Sequence, residues 1–333
     1  GWFPDMCRHV EGERAGHRFF LERWQAAIVA GLFGWKRHDG TRRYRECMLY
    51  VAKKNGKTLF AAGLALYMLT ADGEGGAKVL CAASSRDQAA MVFEPCAGMV
   101  RRNLRLSGHL RIYGDKGGAQ RRSIVVRRDP TASLLVLSAD EDTADGKNPH
   151  CSLVDEVHRH VSPKLAGVLH KSSAARRQPL TVYMTTADVD RPSFCNELLR
   201  RAKAVRDNQG DPLRPGHEPA FLPVIYEADE RDDWRQRATW AKANPNLGVS
   251  VQESFLAEEA RKAARSQSDL ADFLRYHCNV RVGAVSGWLS MPDWDQCGPE
   301  SVRGPAPDPV HLAHAYQKLQ AELRGQPCFG GLD

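Results

Sequence analysis

The octapeptide Val51-Ala52-Lys53-Lys54-Asn55-Gly56-Lys57-Thr58 constrains this chain more than any other stretch. An apolar run of strand character, 47–51, precedes it, and a helical run free of proline, 59–69, follows it. A strand, a tight loop ending Gly-Lys-Thr and a helix form the layout that cradles phosphates. Backbone N–H groups and the positive end of the helix receive the anion. The lysine ammonium reaches the outer phosphate oxygens, and the threonine hydroxyl ligates a magnesium ion. One residue departs from the pattern: the motif has glycine five positions before Gly56, and Val51 stands there. A β-branched residue resists positive φ. The expectation is that Val51 ends the strand and the loop turns differently.

A second motif, Leu153-Val154-Asp155-Glu156, is an apolar strand closing on two carboxylates, roughly a hundred residues after the loop. In a P-loop ATPase this is the Walker B element, in which the Asp binds magnesium through water and the Glu activates the attacking water. Ligands in open α/β sheets bind at such strand ends. Met184-Thr185-Thr186-Ala187 closes the next strand with two hydroxyls suited to sense a γ-phosphate and the attacking water. The bland readings are solvated carboxylates opening a helix and a strand end turning through threonines.

Strands at 47–51, 78–83, 124–126, 133–138, 151–156, 180–186 and 222–226 alternate with helices at 59–69, 86–99, 163–175 and 193–205. This alternation predicts a mostly parallel sheet covered on both faces. Apolar residues at helical spacing over 19–35 predict an earlier helix, with Gly34 as its stop and Lys36 and Arg37 at its negative end. From 227 the character changes: 229–237 is highly charged, Ala243-Asn244-Pro245-Asn246 is a turn, and 253–279 reads as helical, a small subdomain packed on the sheet. The Pro- and Gly-rich stretch 298–309 reads as a linker.

With 333 residues the chain buries a substantial core and has length for about two domains. Nine cysteines without a Cys-x-x-Cys pair read as reduced, buried thiols of a cytoplasmic protein. The net charge of +7 and pI near 9.0 suit an anionic partner such as nucleic acid, or a mildly basic enzyme. No apolar run approaches the roughly 18 residues of a membrane span, and no signal peptide opens the chain. The start without Met and the end at Gly331-Leu332-Asp333 read as a piece of a longer protein. The pairs Arg121-Arg122 and Arg127-Arg128 are either DNA contacts or solvated faces. His158 and His160, two apart, do not share a helix face well enough to bind a metal together.

Further pieces fall in a specific order: Trp24-Gln25 before Leu32-Phe33-Gly34-Trp35; Lys54-Asn55-Gly56-Lys57-Thr58; Ala82-Ala83 with Gln88-Ala89; and Gly146-Lys147-Asn148-Pro149. Val154-Asp155-Glu156-Val157-His158 follows, then Arg176 with Gln178-Pro179-Leu180 before Thr185-Thr186-Ala187, and Trp240 with Ala243-Asn244-Pro245. Through nearly its whole length the chain resembles the large terminase subunit of tailed bacteriophages, the motor that packages DNA into the procapsid. That family's phosphate loop often lacks the first glycine.

The resemblance implies a P-loop NTPase of the additional-strand, RecA-like branch with a small helical lid. It implies an ATPase core over 1–227, a lid over 228–287, a linker over 288–327, and the first strand of an RNase H-like nuclease over 328–333. By the same resemblance, Lys53, Lys54, Asn55, Gly56, Lys57 and Thr58 hold the phosphates of ATP. Thr58 and Asp155 hold Mg²⁺, Glu156 is the base, and Trp24 and Gln25 meet the adenine. Thr185 and Thr186 couple hydrolysis to DNA movement. Arg176, Arg177 and Lys147 are candidates for a finger acting on a neighbouring subunit. Asp333 is the first nuclease metal ligand; without the remaining carboxylates the fragment is expected not to cut DNA. The implied partners are double-stranded DNA, the portal protein, the small terminase subunit and further copies in a ring, in the host cytoplasm and without a membrane. A helicase would need its own motifs after the Thr185 strand and usually a second RecA-like domain. A silent scaffold is argued against by intact Lys57, Thr58, Asp155 and Glu156.

Overall fold

The central strands carry buried side chains on both faces, so they can only lie inside a sheet covered by helices. The computed structural model describes residues 1–83, 86–114, 122–138, 147–159, 163–208, 210–214 and 216–283. They belong to one unit, Gly1–Val285; a second unit, Ser286–Asp333, lies outside the described residues. With it go the expected linker, the 328–333 strand and Asp333. Arg121, Gly146 and His160 also fall outside.

The chain opens with α1 (Trp2–Met6) and α2 (Arg23–Val29), which runs into a π-helical turn at Ala30–Gly34. Then come β1 (Glu46–Tyr50), α3 (Lys57–Thr70), β2 (Lys78–Ala83), α4 (Arg86–Arg102) and α5 (Leu104–His109). The strands β3 (Leu110–Tyr113), β4 (Ser123–Val126), β5 (Asp129–Ser138) and β6 (Cys151–Val154) follow. After α6 (Pro163–Ser172), β7 (Leu180–Thr185), α7 (Phe194–Asn208) and β8 (Phe221–Ile225), three helices close the described chain: α8 (Arg237–Ala243), α9 (Glu253–Ala263) and α10 (Gln267–His277).

The sheet order is β3-β4-β5-β2-β6-β7-β1-β8. Every neighbouring pair from β5 to β8 is parallel, and β3 and β4 add an antiparallel edge. One detail of this order matters for chemistry: β7 lies between β1 and β6. The loop after β1, the carboxylates after β6 and the threonines after β7 therefore emerge side by side. Because successive side chains alternate faces, Cys47 and Leu49 join the core under α1–α4, while Met48 and Tyr50 join the one under α6 and α7. Gly63 lets α1 dock on α3, since a Cβ there would fall 2.8 Å from Phe3 Cε1. Helices α8–α10 bury a third cluster around Trp240, Leu256 and Phe273.

Some boundaries differ from the sequence expectation. The helix expected over 19–35 starts at Arg23, because Glu22 and Gln25 form a capping box there. Phe19 lies before it in the core. The helical stretch 253–279 is two helices, with the Ser266 side chain capping α10. Elements α1, α5 and β3, too short to show a period, were not expected.

At the amino ends of the parallel strands sits a buried ion pair. Arg42 Nη2 donates to Asp72 Oδ1 at 2.6 Å, and both side chains are buried. Arg42 Nη1 donates to Gln178 O at 2.7 Å, and its guanidinium lies 5.1 Å from the centre of the Phe33 ring. Removing one member of such a pair leaves the other charged and desolvated. Asp72→Ala is expected to lower the unfolding free energy by about 3–5 kcal/mol, read by urea denaturation. A loss below about 1 kcal/mol would show that water reaches the pair.

Candidate active site

Leaving the sheet at Tyr50, the chain keeps one more parallel contact: Val51 N donates to Thr185 O at 3.1 Å. Val51 thus continues the ladder, as its β-branched side chain prefers. The turn is made later, with Lys54 at φ 67° and Gly56 at φ 79°. A left-handed lysine costs about 1–2 kcal/mol, so something must hold it.

The hold comes from the segment after β8. Asn55 is fully buried. Its Nδ2 donates to Ala52 O, to Lys53 O and to Asn244 Oδ1, the last at 2.9 Å. Its Oδ1 accepts from Asn246 N at 3.1 Å, and its backbone O accepts from Asn246 Nδ2 at 3.0 Å. Asn246 Oδ1 in turn accepts from Trp24 Nε1 at 2.7 Å. Ser250 Oγ donates to Lys54 O at 2.7 Å, and Lys53 N donates to Tyr276 O at 3.0 Å. The Lys53 ammonium lies 3.3 Å from the centre of the Tyr276 ring, a cation–π contact.

Gly56 caps α3, and Lys57 opens it with a buried side chain. Lys57 Nζ donates to Val51 O at 3.0 Å and to Ala52 O at 3.2 Å. Burial pushes the Lys57 ammonium down, and the charges of Glu156 and Asp155 oppose that. Thr58 follows in the first turn of the helix, partly buried.

Asp155 prolongs β6 by one bond, its N donating to Ala82 O at 3.1 Å. Burial pushes its carboxyl up to about 6, helped by the Glu156 charge and opposed by Lys57 and the Glu156 N–H. Glu156 is left-handed, with φ 51°. Its Oε2 is sealed from solvent without a hydrogen-bond partner, although His158 Nδ1 stands 3.1 Å away. Thr185 and Thr186 are buried beside it. Thr185 Oγ1 accepts from His158 N at 3.1 Å and donates to Thr186 O at 2.9 Å.

The donor set fits a magnesium ion. Thr58 and Asp155 supply hard oxygens, and Glu156, next to Asp155 in the chain, has an orphaned acceptor in Oε2. The charge influence of Asp155 and Glu156 on Lys57 puts all three in one electrostatic neighbourhood.

The structure brings Lys53, Lys54, Asn55, Gly56, Lys57, Thr58, Asp155, Glu156, Thr185 and Thr186 to the carboxyl ends of β1, β6 and β7. Trp24 and Gln25 lie against the loop. Gln25 Oε1 accepts from Glu22 N at 3.0 Å, and its Nε2 approaches to 3.9 Å the place where a Cβ on Gly56 would be. Trp24 is buried between Phe60 and Tyr226 and bonded to Asn246. Its observed part is to brace the loop.

Arg176 and Arg177 are not brought there. They precede β7, at the opposite ends of the strands. Arg176 donates to Glu74 Oε1, Asn148 O, Gly75 O and Gly76 O, so its guanidinium is committed within the chain. Arg177 is exposed and donates to Asp39 O. Lys147, next to Asn148, belongs to the same end. Arg127 is bonded to Ser107 O and Leu110 O near the far edge of the sheet.

Sequence reasoning missed Asn246, Tyr276 and the part played by His158. From the residues, 243–246 read only as a turn, and Asn244 also as part of the resemblance. Buried amides carry no periodicity, so the one local signal was the Asn-Pro-Asn turn.

The strand order and the loop together define a P-loop NTPase fold of the additional-strand class. Comparison with known proteins then narrows the class. The family model of the terminase large subunit ATPase domain matches residues 23–204, and that of the terminase large subunit endonuclease domain matches 217–304. The chain belongs to the terminase large subunit family.

Among curated relatives, protein YmfN of Escherichia coli (strain K12) is 33% identical over 189 residues, which are 57% of this chain and 37% of that protein. The large terminase subunit of Enterobacteria phage HK97 is 25% identical over 305 residues, 90% of this chain and 56% of that protein. The chain thus spans little more than half, or less, of these relatives. The crystal structure of the HK97 large terminase superposes with a TM-score of 0.70 at 24% identity, covering 91% of this chain and 59% of that one. The large terminase of a thermophilic bacteriophage, in complex with ATP-gamma-S, shares the fold with a TM-score of 0.50 at 12% identity, covering 79% of this chain and 53% of that one. No helix among the described residues is long and apolar enough to cross a membrane.

Removing the Asn246 amide orphans Trp24 Nε1 and the Asn55 carbonyl. Asn246→Ala is expected to cost at least about 2 kcal/mol in urea denaturation. A variant as stable as wild type would show that the loop does not depend on this grip.

Proposed function

We propose that the chain is the ATP-hydrolysing part of a motor that moves double-stranded DNA into a phage procapsid. The observation that carries this is the meeting of Lys57, Asp155, Glu156 and the Thr185-Thr186 turn at the carboxyl ends of β1, β6 and β7. Membership in the terminase large subunit family supports it. So does the fold shared with a terminase whose structure contains ATP-gamma-S.

In this reading Lys57 exchanges the carbonyls of Val51 and Ala52 for phosphate oxygens, and Lys53 and Lys54 add charge beside them. Thr58 and Asp155 hold Mg²⁺, which when bound neutralises charge on the transferred phosphoryl group. Glu156 orients the attacking water and accepts its proton, and its unpaired Oε2 suits that task. Thr185 and Thr186 report the event to the rest of the chain. Gln25, with Trp24 behind it, meets the adenine.

The core is 1–227 and the lid 228–287, with 288–327 leading to a nuclease strand at 328–333. The lid assignment is supported by the grip of Asn244, Asn246, Ser250 and Tyr276 on the phosphate loop. The endonuclease-domain match over 217–304 falls mainly on the lid and linker residues, and it supports a nuclease role beside the motor. The motor holds DNA by its phosphates, so binding falls with salt and tolerates any sequence. Portal protein, small terminase subunit and sister copies in a ring complete it, in the host cytoplasm. Arg177 is the better finger candidate, since Arg176 is tied down within its own chain.

Steady-state ATP hydrolysis with and without double-stranded DNA tests this. Lys57→Ala and Glu156→Gln are each expected to lower kcat by about 10²-fold or more. Equal rates in wild type and both variants would sink the assignment, and unwinding of a forked duplex would make the protein a helicase.

A further inference from the structure

The imidazole of His158 is not explained by the roles above. It is buried, three residues beyond Asp155, and one of its nitrogens faces oxygens from two separate motifs. His158 Nδ1 lies 3.1 Å from Glu156 Oε2, 3.1 Å from Thr185 Oγ1 and 3.3 Å from Thr186 Oγ1. Both ends of its backbone are anchored as well: its N donates to Thr185 Oγ1, and its O accepts from Arg191 Nη2.

A histidine that merely filled space would need one partner for each nitrogen. Here a single nitrogen has three oxygens within 3.3 Å. A neutral imidazole carries one N–H and one lone pair, so Nδ1 serves only one oxygen well at a time. The proton of Thr185 Oγ1 is directed at Thr186 O, so toward Thr185 the ring must donate. Toward Glu156 it must also donate, while Thr186 can either give or receive. The ring therefore has distinct arrangements, one favouring the carboxylate and one favouring the threonine turn.

What the turn touches makes this consequential. Ala187 N donates to Asn279 Oδ1 at 2.8 Å, and Arg275 Nε donates to Ala187 O at 2.8 Å. Arg275 lies on α10, whose Tyr276 O receives Lys53 N of the phosphate loop. A closed circuit results: phosphate loop, α10, Ala187, the threonines, His158, Glu156.

We propose that His158 is a positioning residue that links the Glu156 carboxylate to the Thr185-Thr186 turn, and through it to α10. The proposal rests on the ATPase reading for its catalytic consequence but not for the contact itself. When Glu156 takes the imidazole N–H, its carboxylate is aimed and the turn is released. When the threonines take it, the carboxylate is left unsupported.

The test compares wild type, His158→Ala and His158→Asn, whose side-chain amide places an N–H near the position of Nδ1. His158→Ala is expected to lower kcat for ATP about 10²-fold with KM changed less than about twofold. His158→Asn should recover most of the loss. Hydrogen exchange of the amides at 185–188 should quicken at least about tenfold in His158→Ala and stay near wild type in His158→Asn. If His158→Ala does not fold, His158→Gln replaces it, because its longer side chain carries the amide past Nδ1.

Wild-type kcat in His158→Ala overturns the proposal. So does an equal loss in the Ala and Asn variants, or a rise in KM alone. A wild type without hydrolysis would count against the ATPase reading. Exchange at 185–188 would still decide the contact, and no difference between wild type and His158→Ala would remove it.

Discussion

The grip of two asparagines on the phosphate loop is the contact on which the rest of this site depends. A P-loop that starts with glycine turns freely at that position. Here Val51 stays in the ladder with Thr185, and the reversal is postponed to Lys54, a residue that resists the left-handed conformation. The strain of about 1–2 kcal/mol is opposed by hydrogen bonds from Asn246 and Ser250 to the carbonyls of Asn55 and Lys54. At about 0.5–1.5 kcal/mol each, two such bonds already balance it. The loop is therefore shaped by the helical segment and not by its own sequence alone.

Parallel strands then separate two kinds of polar group. Their carboxyl ends hold the groups left reactive: a lysine resting on its own loop, a carboxyl raised by burial, and a glutamate oxygen without a donor. At their amino ends two arginines are paired, Arg42 on Asp72 and Arg176 on Glu74 and three carbonyls, while Arg42 Nε and both His150 nitrogens there also lack a hydrogen-bond partner. Its own four acceptors are why Arg176 is better read as structure. A guanidinium with so many acceptors would have to break several bonds to reach a neighbouring subunit.

Much of this was legible from sequence because parallel sheets announce themselves. The unbroken apolar runs at Cys151–Val154 and Leu180–Thr185 gave strands, and the chemistry sat at their ends. The placement of β7 between β1 and β6 agrees with the additional-strand expectation, although strand order has no local signal. What stayed hidden was non-local. The Trp24 to Asn246 bond spans 222 positions and that of Asn55 to Asn244 spans 189, and nothing in either segment names its partner. His158 was weighed only as a metal ligand beside His160. Its real neighbours are hydroxyls brought in by another strand.

Those non-local contacts decide what a bound anion can change. Lys57 is buried, but it is compensated by two carbonyls and by the nearby charges of Asp155 and Glu156. A phosphate therefore gains only the difference between its own pull and that existing set. A bare anion would also meet the two carboxylates, so a polyphosphate carrying a divalent ion fits better than phosphate alone. Once Lys57 leaves Val51 and Ala52, those carbonyls lose a donor while Ala52 still bonds the Asn55 amide. That amide belongs to the residue that the helical segment holds. In this chain the phosphate loop and the helical segment α8–α10 share one hydrogen-bond network.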